Sequence, residues 1–203
     1  MRQETKTKRQ NEIAVAAYRV LEKKGYSGAS MLAIARQAKA SNETLYNWYG
    51  DKAGLLGALV EHNAADVKAL LVDSISSGDN AVQTLEVLGP VLLSVLLGSR
   101  AVALNRAAAA DPTGELGATI ALQGRETVVP LVLEVLCRGR DQGYFSFDDT
   151  DEVLEVYLGL LIGDLQIRRV IGRMPEPDKA FIALKSRKAL LHLQKLYGKR
   201  GAA

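Results

Sequence analysis

Two serines place the tightest local constraint on this chain. Ser30 and Ser41 each stand just before a short helix-forming run, MLAIARQA and NETLYNWY. A serine in that position accepts a hydrogen bond from one of the otherwise free N–H groups of a helix's first turn. Neither run is long enough to be a stable helix alone, and residues 39 to 41 allow only a tight connection between them. The pair must therefore pack together. Met31, Ile34, Ala35 and Ala38 give the first helix an inner face, and Ala40 and Leu45 continue it, with Tyr49 one turn beyond Leu45. Ala35 is the small residue that two helices need where they cross steeply. This packing leaves Asn42, Glu43, Tyr46 and Asn47 facing outward on the second helix.

The flanking sequence supplies the support. Thr7, with Gln10 three residues on, is a capping-box start for a first helix, whose stripe of Ile13, Ala16, Ala17, Val20 and Leu21 stops near Gly25. Asp51 caps a longer helix with Leu55, Leu56, Leu59 and Val60 on its apolar side. Small helix, turn, small helix inside a three-helix group is the arrangement of a helix-turn-helix.

The rest of the chain also reads as helix. SISSGDN at 74–80 is a linker, and an apolar helix around 81–97 is expected to kink at Pro90. A short Ala-rich helix near 100–110 is followed by the turn DPTG at 111–114. A long helix then runs to about Arg140, interrupted at Pro130. After DQGYFSFDDTDE, Asp148 or Thr150 caps a helix to Ile171, GRMPEPD ends it, and Asp178 to Tyr197 forms the last. There is no strand alternation of useful length, no repeat and no low-complexity tract. The expected fold class is all-α, of about nine helices. Residues 1–55 would form the helix-turn-helix domain and residues 56–203 a larger helical domain.

Composition narrows the function classes. A hydrophobic content of 48% with 24% charged residues fits an ordinary globular protein and argues against extensive disorder. The one cysteine, Cys137, has no internal disulfide partner. Residues 1–10 lack the apolar stretch of a secretory signal. Val87–Leu97 is interrupted by Gly89, Pro90 and Ser94 and is shorter than the roughly 20 residues of a membrane span, so no membrane is expected and the compartment is expected to be cytoplasmic. Charge is uneven: residues 1–55 carry ten Lys or Arg against five Asp or Glu, while the remainder carries 16 against 18. A basic first quarter suits a polyanionic partner, and a solvated basic tail is the plain alternative.

The chemistry of the outward face suits double-stranded DNA. Asn offers a donor and an acceptor to base edges, whereas Ser, Thr and Tyr hydroxyls and the Lys52 ammonium suit phosphate oxygens. Lys52 also sits at a helix start, where exposed N–H groups attract anions. A polar surface helix without a ligand remains the alternative for the helix pair taken alone.

The stretch SMLAIARQAKASNETLYNWYGDKAGLLGALV resembles the N-terminal domain of TetR-type transcriptional regulators. The residues that carry the resemblance are Ile34-Ala35, Ser41, Thr44-Leu45-Tyr46, Asn47-Trp48, Tyr49 and Lys52, within about residues 10 to 60. The resemblance implies a DNA site of Ser30, Ser41, Asn42, Glu43, Thr44, Tyr46, Asn47, Trp48 and Lys52. Of these, Ser41, Thr44, Tyr46, Trp48 and Lys52 would touch phosphates, and Asn42, Glu43 and Asn47 would lie nearest base edges. Two positions depart from the family pattern. Lys39 stands where glycine is usual, and a non-glycine in the left-handed region costs roughly 1 kcal/mol, so a slightly reshaped turn is expected. Glu43 stands where a small residue or proline is common, and reads as a cap more readily than as an acceptor from a cytosine amino group.

The end of the body, GYFSFDDTDEVLEVYLGLLIGDLQIRRVIG, is similar to the C-terminal domain of AefR-like members of that family. The resemblance implies a small-molecule effector and a homodimer formed through helices at about 150–171 and 178–197. Gly159 and Gly163 would let a partner helix approach, or would serve packing within the chain. Phe181, Leu184 and Leu191 would add the facing side. The polar anchors expected for a hydrophobic or amphipathic effector are Asn105, Arg106, Arg125, Asp164 and Gln166. Cys137 reads as a buried small side chain rather than an oxidant sensor. His62 and His192 lack companions for a metal site, and no cofactor is implied. No acid, base and nucleophile share a useful spacing, so an enzyme is not expected. The rival function is a helical ligand carrier or scaffold that binds no operator.

Overall fold

The computed structural model describes residues 2–199, with side chains described from Lys6 onward. Every regular element among them is helical. By packing, the chain divides into two compact units, Met1–Asn63 with Arg100–Gly124, and Ala64–Ser99 with Arg125–Ala203.

The first unit begins with α1 (Arg2–Gly28), which starts upstream of Thr7, so the expected cap falls inside the helix. The opening residues contain no glycine or proline and are mostly Arg, Gln, Glu and Lys, good helix formers, and a capping pattern in such a run does not stop propagation. Gly25, at φ 65 and ψ −176, breaks the helical path near its end. α2 (Met31–Ala38) and α3 (Asn42–Tyr49) follow, then the start of α4 (Lys52–Ser77), with α6 (Ser99–Ala109) and α7 (Glu115–Ile120) completing the unit. Ile13, Ala17, Leu21, Ile34, Ala35, Leu45, Leu55 and Leu56 form one core with Leu104, Ala107 and Leu116. The three N-terminal helices therefore do not bury their apolar faces alone; α6 and α7 cover part of them.

Polar groups inside this unit are bonded. Tyr18 donates to the Leu59 carbonyl at 3.5 Å, and burial pushes its hydroxyl up to about 12 despite the nearby Arg100 guanidinium. Tyr26 donates to Glu115 at 2.7 Å. Asp111 fixes the DPTG turn, accepting from the Thr113 N–H and hydroxyl at 3.0 and 2.7 Å and from the Leu116 N–H at 3.1 Å. Burial alone raises its pKa, but these donors, helped by the Lys52 charge, outweigh that and hold its carboxyl below the ordinary value of 3.8.

The second unit contains the remainder of α4, α5 (Ala81–Leu97), α8 (Glu126–Asp141), α9 (Thr150–Ile162), α10 (Leu165–Val170) and α11 (Lys179–Tyr197). Leu71, Leu85, Leu88, Leu93, Val135, Leu136, Tyr157, Leu161 and Leu193 are at its centre. α5 and α11 approach so closely that a Cβ on Gly89 would lie 2.0 Å from Ser186 Oγ. Helix ends are closed by arginines. Arg138 donates to the Ser74 and Ile75 carbonyls at the end of α4, both at 2.8 Å, and buried Arg169 donates to the Leu97 carbonyl at the end of α5, also at 2.8 Å.

Three expectations about the later helices are corrected. The break expected at Pro130 lies upstream, in a π-helical segment, Ala121–Arg125, while Pro130 sits inside α8. Proline withdraws the donor for the carbonyl four residues back, here Glu126, the first residue after that segment. The cap of α9 is Asp149, between the two expected residues, accepting from Asp151 and Glu152 N–H groups at 2.9 and 3.2 Å. The single helix expected over 150–171 is two, because Gly163 adopts φ 51 and ends α9. No single described helix is long and apolar enough to cross a membrane.

Candidate nucleic-acid interface

The geometry of α2 and α3 is built from their caps. Ser30 Oγ accepts from the Ala33 N–H at 3.2 Å, and Ser41 Oγ accepts from the Thr44 N–H at 3.0 Å. Between the helices Lys39 is left-handed at φ 51 and ψ 41, and the Ala40 N–H returns to the Ala35 carbonyl at 2.9 Å. The turn thus keeps the conformation that glycine would adopt, and the expected reshaping does not occur. Two of the bonds that end α2, from Lys39 and Ala40 to the carbonyls of Arg36 and Ala35, hold it there.

Leu45 is the one fully buried residue of α3, and it fixes which side of the helix faces out. Asn42, Glu43, Tyr46 and Asn47 are exposed, Tyr46 at 49%. Trp48 and Tyr49 are half-buried against the core, their rings edge-on at 6.4 Å. The Lys6 ammonium lies 5.9 Å from the Trp48 ring centre. Gly50, at φ 76, turns the chain after α3, and Asp51 caps α4 by accepting from the Gly54 N–H at 2.8 Å.

Some candidate side chains are already engaged. The hydroxyls of Ser41 and Thr44 bond each other at 2.7 Å. The Lys52 ammonium donates to the Tyr26 carbonyl at 3.1 Å and sits 3.5 Å from that ring's centre. The Ser41–Thr44 bond uses one of the two hydroxyl protons and leaves the other to donate to a phosphate oxygen, and Lys52 keeps further donors, so these bonds orient the groups without exhausting them. Ser30, Ser41, Asn42, Glu43 and Asn47 all lie at solvent. The candidate DNA residues thus lie on α3, at its N-cap Ser41 and at Lys52, the first residue of α4, apart from Ser30 at the start of α2.

The five candidate effector residues are divided between the two units. Asn105 and Arg106 lie on α6 in the first unit; Arg125, Asp164 and Gln166 lie in the second. Asn105 donates to the Ala101 carbonyl at 2.9 Å, Gln166 to the Leu96 carbonyl at 3.3 Å, and Asp164 is 3.9 Å from Arg168. Arg106 and Arg125 are exposed. Cys137 is half-buried with its sulfur 3.8 Å from the Thr150 hydroxyl.

The structure adds two residues that sequence patterns passed over. Arg9 Nη2 donates to the Lys39 carbonyl at 2.6 Å, reaching from α1 to the turn. Tyr157, at the centre of the second unit, is fully buried with no partner for its hydroxyl among the described residues, and burial drives its pKa upward. Helical spacing with Val153 and Leu161 marks Tyr157 as core, but nothing local signals an unmet hydrogen bond.

A buried leucine holding a polar, capped short helix at the surface, braced by a second short helix, defines a helix-turn-helix DNA-binding protein. The family model described as bacterial regulatory proteins, tetR family, matches residues 13–59. Among solved structures, a TetR transcriptional regulator from Agrobacterium tumefaciens is 30% identical, with 95% of each chain covered and a TM-score of 0.72. A TetR-family transcriptional regulator from Mesorhizobium loti is 24% identical over 95% of this chain and 98% of its own, TM-score 0.74. The regulator FadR from Bacillus subtilis, in complex with stearoyl-CoA, shares the fold at 17% identity, over 90% of this chain and 96% of its own, TM-score 0.70. Comparison with curated protein sequences gives no match. The chain belongs to the TetR family of transcriptional regulators.

Proposed function

We propose that this regulator is a homodimeric, ligand-responsive repressor that leaves its operator when a small hydrophobic or amphipathic effector binds. The observation that carries the reading is the outward face of α3, where Asn42, Glu43, Tyr46 and Asn47 stand exposed around a buried Leu45. In this reading Asn42 and Asn47 reach base edges, and Glu43 serves the start of α3. Ser30, Ser41, Thr44, Tyr46, Trp48 and Lys52 meet phosphates. The functional division is residues 1–55 for DNA and 56–203 for effector and dimer.

One short reading helix spans few base pairs, so a two-fold pair of chains with half-sites about one helical turn apart is the DNA-bound form. Support for the pairing comes from apolar side chains left at solvent on α10, just after it and on α11: Ile167, Ile171, Phe181, Leu184 and Leu191. On α9, a Cβ added to Gly159 would meet nothing within 4 Å, which favours close approach from outside. Helices at about 150–171 and 178–197 thus form the pairing surface.

Effector control is linkage: a ligand that prefers the conformation with displaced reading helices lowers DNA affinity by the same factor. The chain crosses between the two units three times, once within α4, so strain in one has covalent routes to the other. The unpaired Tyr157 hydroxyl supports an interior with a polar demand for a ligand to meet. Asn105, Arg106, Arg125, Asp164 and Gln166 are the further anchors. FadR, solved in complex with stearoyl-CoA, is an example of this fold accommodating an amphipathic ligand with a long apolar chain.

A mobility-shift titration against salt tests the reading. Neutralised phosphates give a steep fall of log affinity with log salt concentration. A chain that shifts no duplex at any salt concentration would be a ligand carrier or scaffold instead.

A further inference from the structure

The turn between α2 and α3 contains a residue in a conformation its side chain disfavours. Lys39 is the one described non-glycine residue with positive φ. A Cβ in that region crowds the neighbouring carbonyl, which is why glycine is the usual occupant. Arg9 holds the turn from α1 by donating to the Lys39 carbonyl at 2.6 Å. The same guanidinium pairs with Glu12 one turn further along α1. It is therefore fixed at both ends, with its side chain only 32% exposed. Two residues after Lys39, Ser41 caps α3, so a tilt of the Lys39 peptide passes directly into the first turn of that helix.

We infer that Arg9 is a positioning residue for sequence reading: it sets the angle at which α3 leaves the turn instead of contacting phosphate itself. The inference rests on the reading of α3 as the helix that faces bases. Hydrogen bonds to base edges demand fixed geometry, whereas attraction to phosphates tolerates a small tilt. Loosening the turn therefore costs affinity for a matched sequence and little elsewhere. A plain charge role predicts the opposite pattern. Removing the Arg9 cation would then weaken every duplex alike and flatten the salt slope by about one. Removing the Glu12 anion would strengthen binding to every duplex.

The test uses the full chain, a duplex selected from a random-sequence pool by the wild-type protein, and a scrambled duplex of the same composition. Affinities are measured across a salt series, with thermal melting to monitor folding. Arg9→Gln should lose about tenfold on the selected duplex and no more than about twofold on the scrambled one, the scale of one charge-assisted hydrogen bond, with an unchanged salt slope. Glu12→Gln should also lower the preference, despite making the protein more basic. Arg9→Lys, which still reaches the carbonyl with one donor, should keep most of it and carries the test if Arg9→Gln does not fold. Equal losses on both duplexes with a flatter slope, or a gain for Glu12→Gln on both, overturn the role of Arg9. A wild type that prefers neither duplex overturns the reading of α3 itself, and the role of Arg9 with it.

Discussion

The two units differ in what they leave unmet. In the first, interior polar groups are bonded, as Asp111, Tyr18 and Tyr26 illustrate, and the exposed helix α3 is polar. In the second, Tyr157 is buried without a partner among the described residues while Ile167, Ile171, Phe181, Leu184 and Leu191 face water. A region whose internal demands are met holds a surface still, which suits presentation of side chains to a nucleic acid. A region with an unpaired hydroxyl inside and apolar side chains outside gains by adding something to either, such as a ligand or a second chain.

Charging the apolar face tests the contrast at its largest. Leu184→Asp with Leu191→Asp should reduce the mass in light scattering to that of one chain. Operator affinity should fall by at least about 100-fold, because the second half-site is no longer bound at high effective concentration. A double variant that stays dimeric would move the pairing surface elsewhere.

The polar face should answer more modestly and in two distinct ways. Tyr46→Ala should weaken matched and scrambled duplexes together, by about tenfold, as loss of a phosphate contact does. Asn47→Ala should instead cost about 1–3 kcal/mol on the matched duplex and alter the preferred base near it. If both variants lose equally on both duplexes, the division between base and phosphate contacts is wrong.

The interiors can be compared directly. Removing the Tyr157 hydroxyl with Tyr157→Phe should raise stability by about 1 kcal/mol in denaturant unfolding, since an unmet buried donor is costly. A loss of stability would mean that the hydroxyl has an interior partner. The smallest effect belongs to Asp111, whose pKa is lowered by folding. Such a group stabilises above its unfolded value of 3.8, and the contribution is lost as pH falls through the folded value. Melting temperature followed from neutral to acid pH should therefore fall less steeply in Asp111→Asn than in the wild type. An identical slope would show the turn indifferent to that charge.

What could be read in advance follows the same division. The caps at Ser30, Ser41 and Asp51 and the buried set Met31, Ile34, Ala35, Ala38 and Leu45 are as expected, because capping and short-range periodicity act within a few residues. In the body the local signals were ambiguous. Gly159 and Gly163 look alike in sequence, yet the first lies inside α9 and the second ends it. The π-helical turn at Ala121–Arg125 has no signature in ALQGR. Asn105 and Gln166 have the chemistry of ligand anchors, yet each bonds a carbonyl of its own unit. The clamp from Arg9 to Lys39 joins residues thirty apart, which periodicity does not report.

Trp48 is the chain's single tryptophan and lies on α3, half-buried, with the Lys6 ammonium near its ring. Its fluorescence emission is therefore a label-free reporter of α3 alone, undiluted by any other indole. Titrating small molecules while watching that one emission band screens for compounds that disturb α3 from a distance, with no operator in the cuvette.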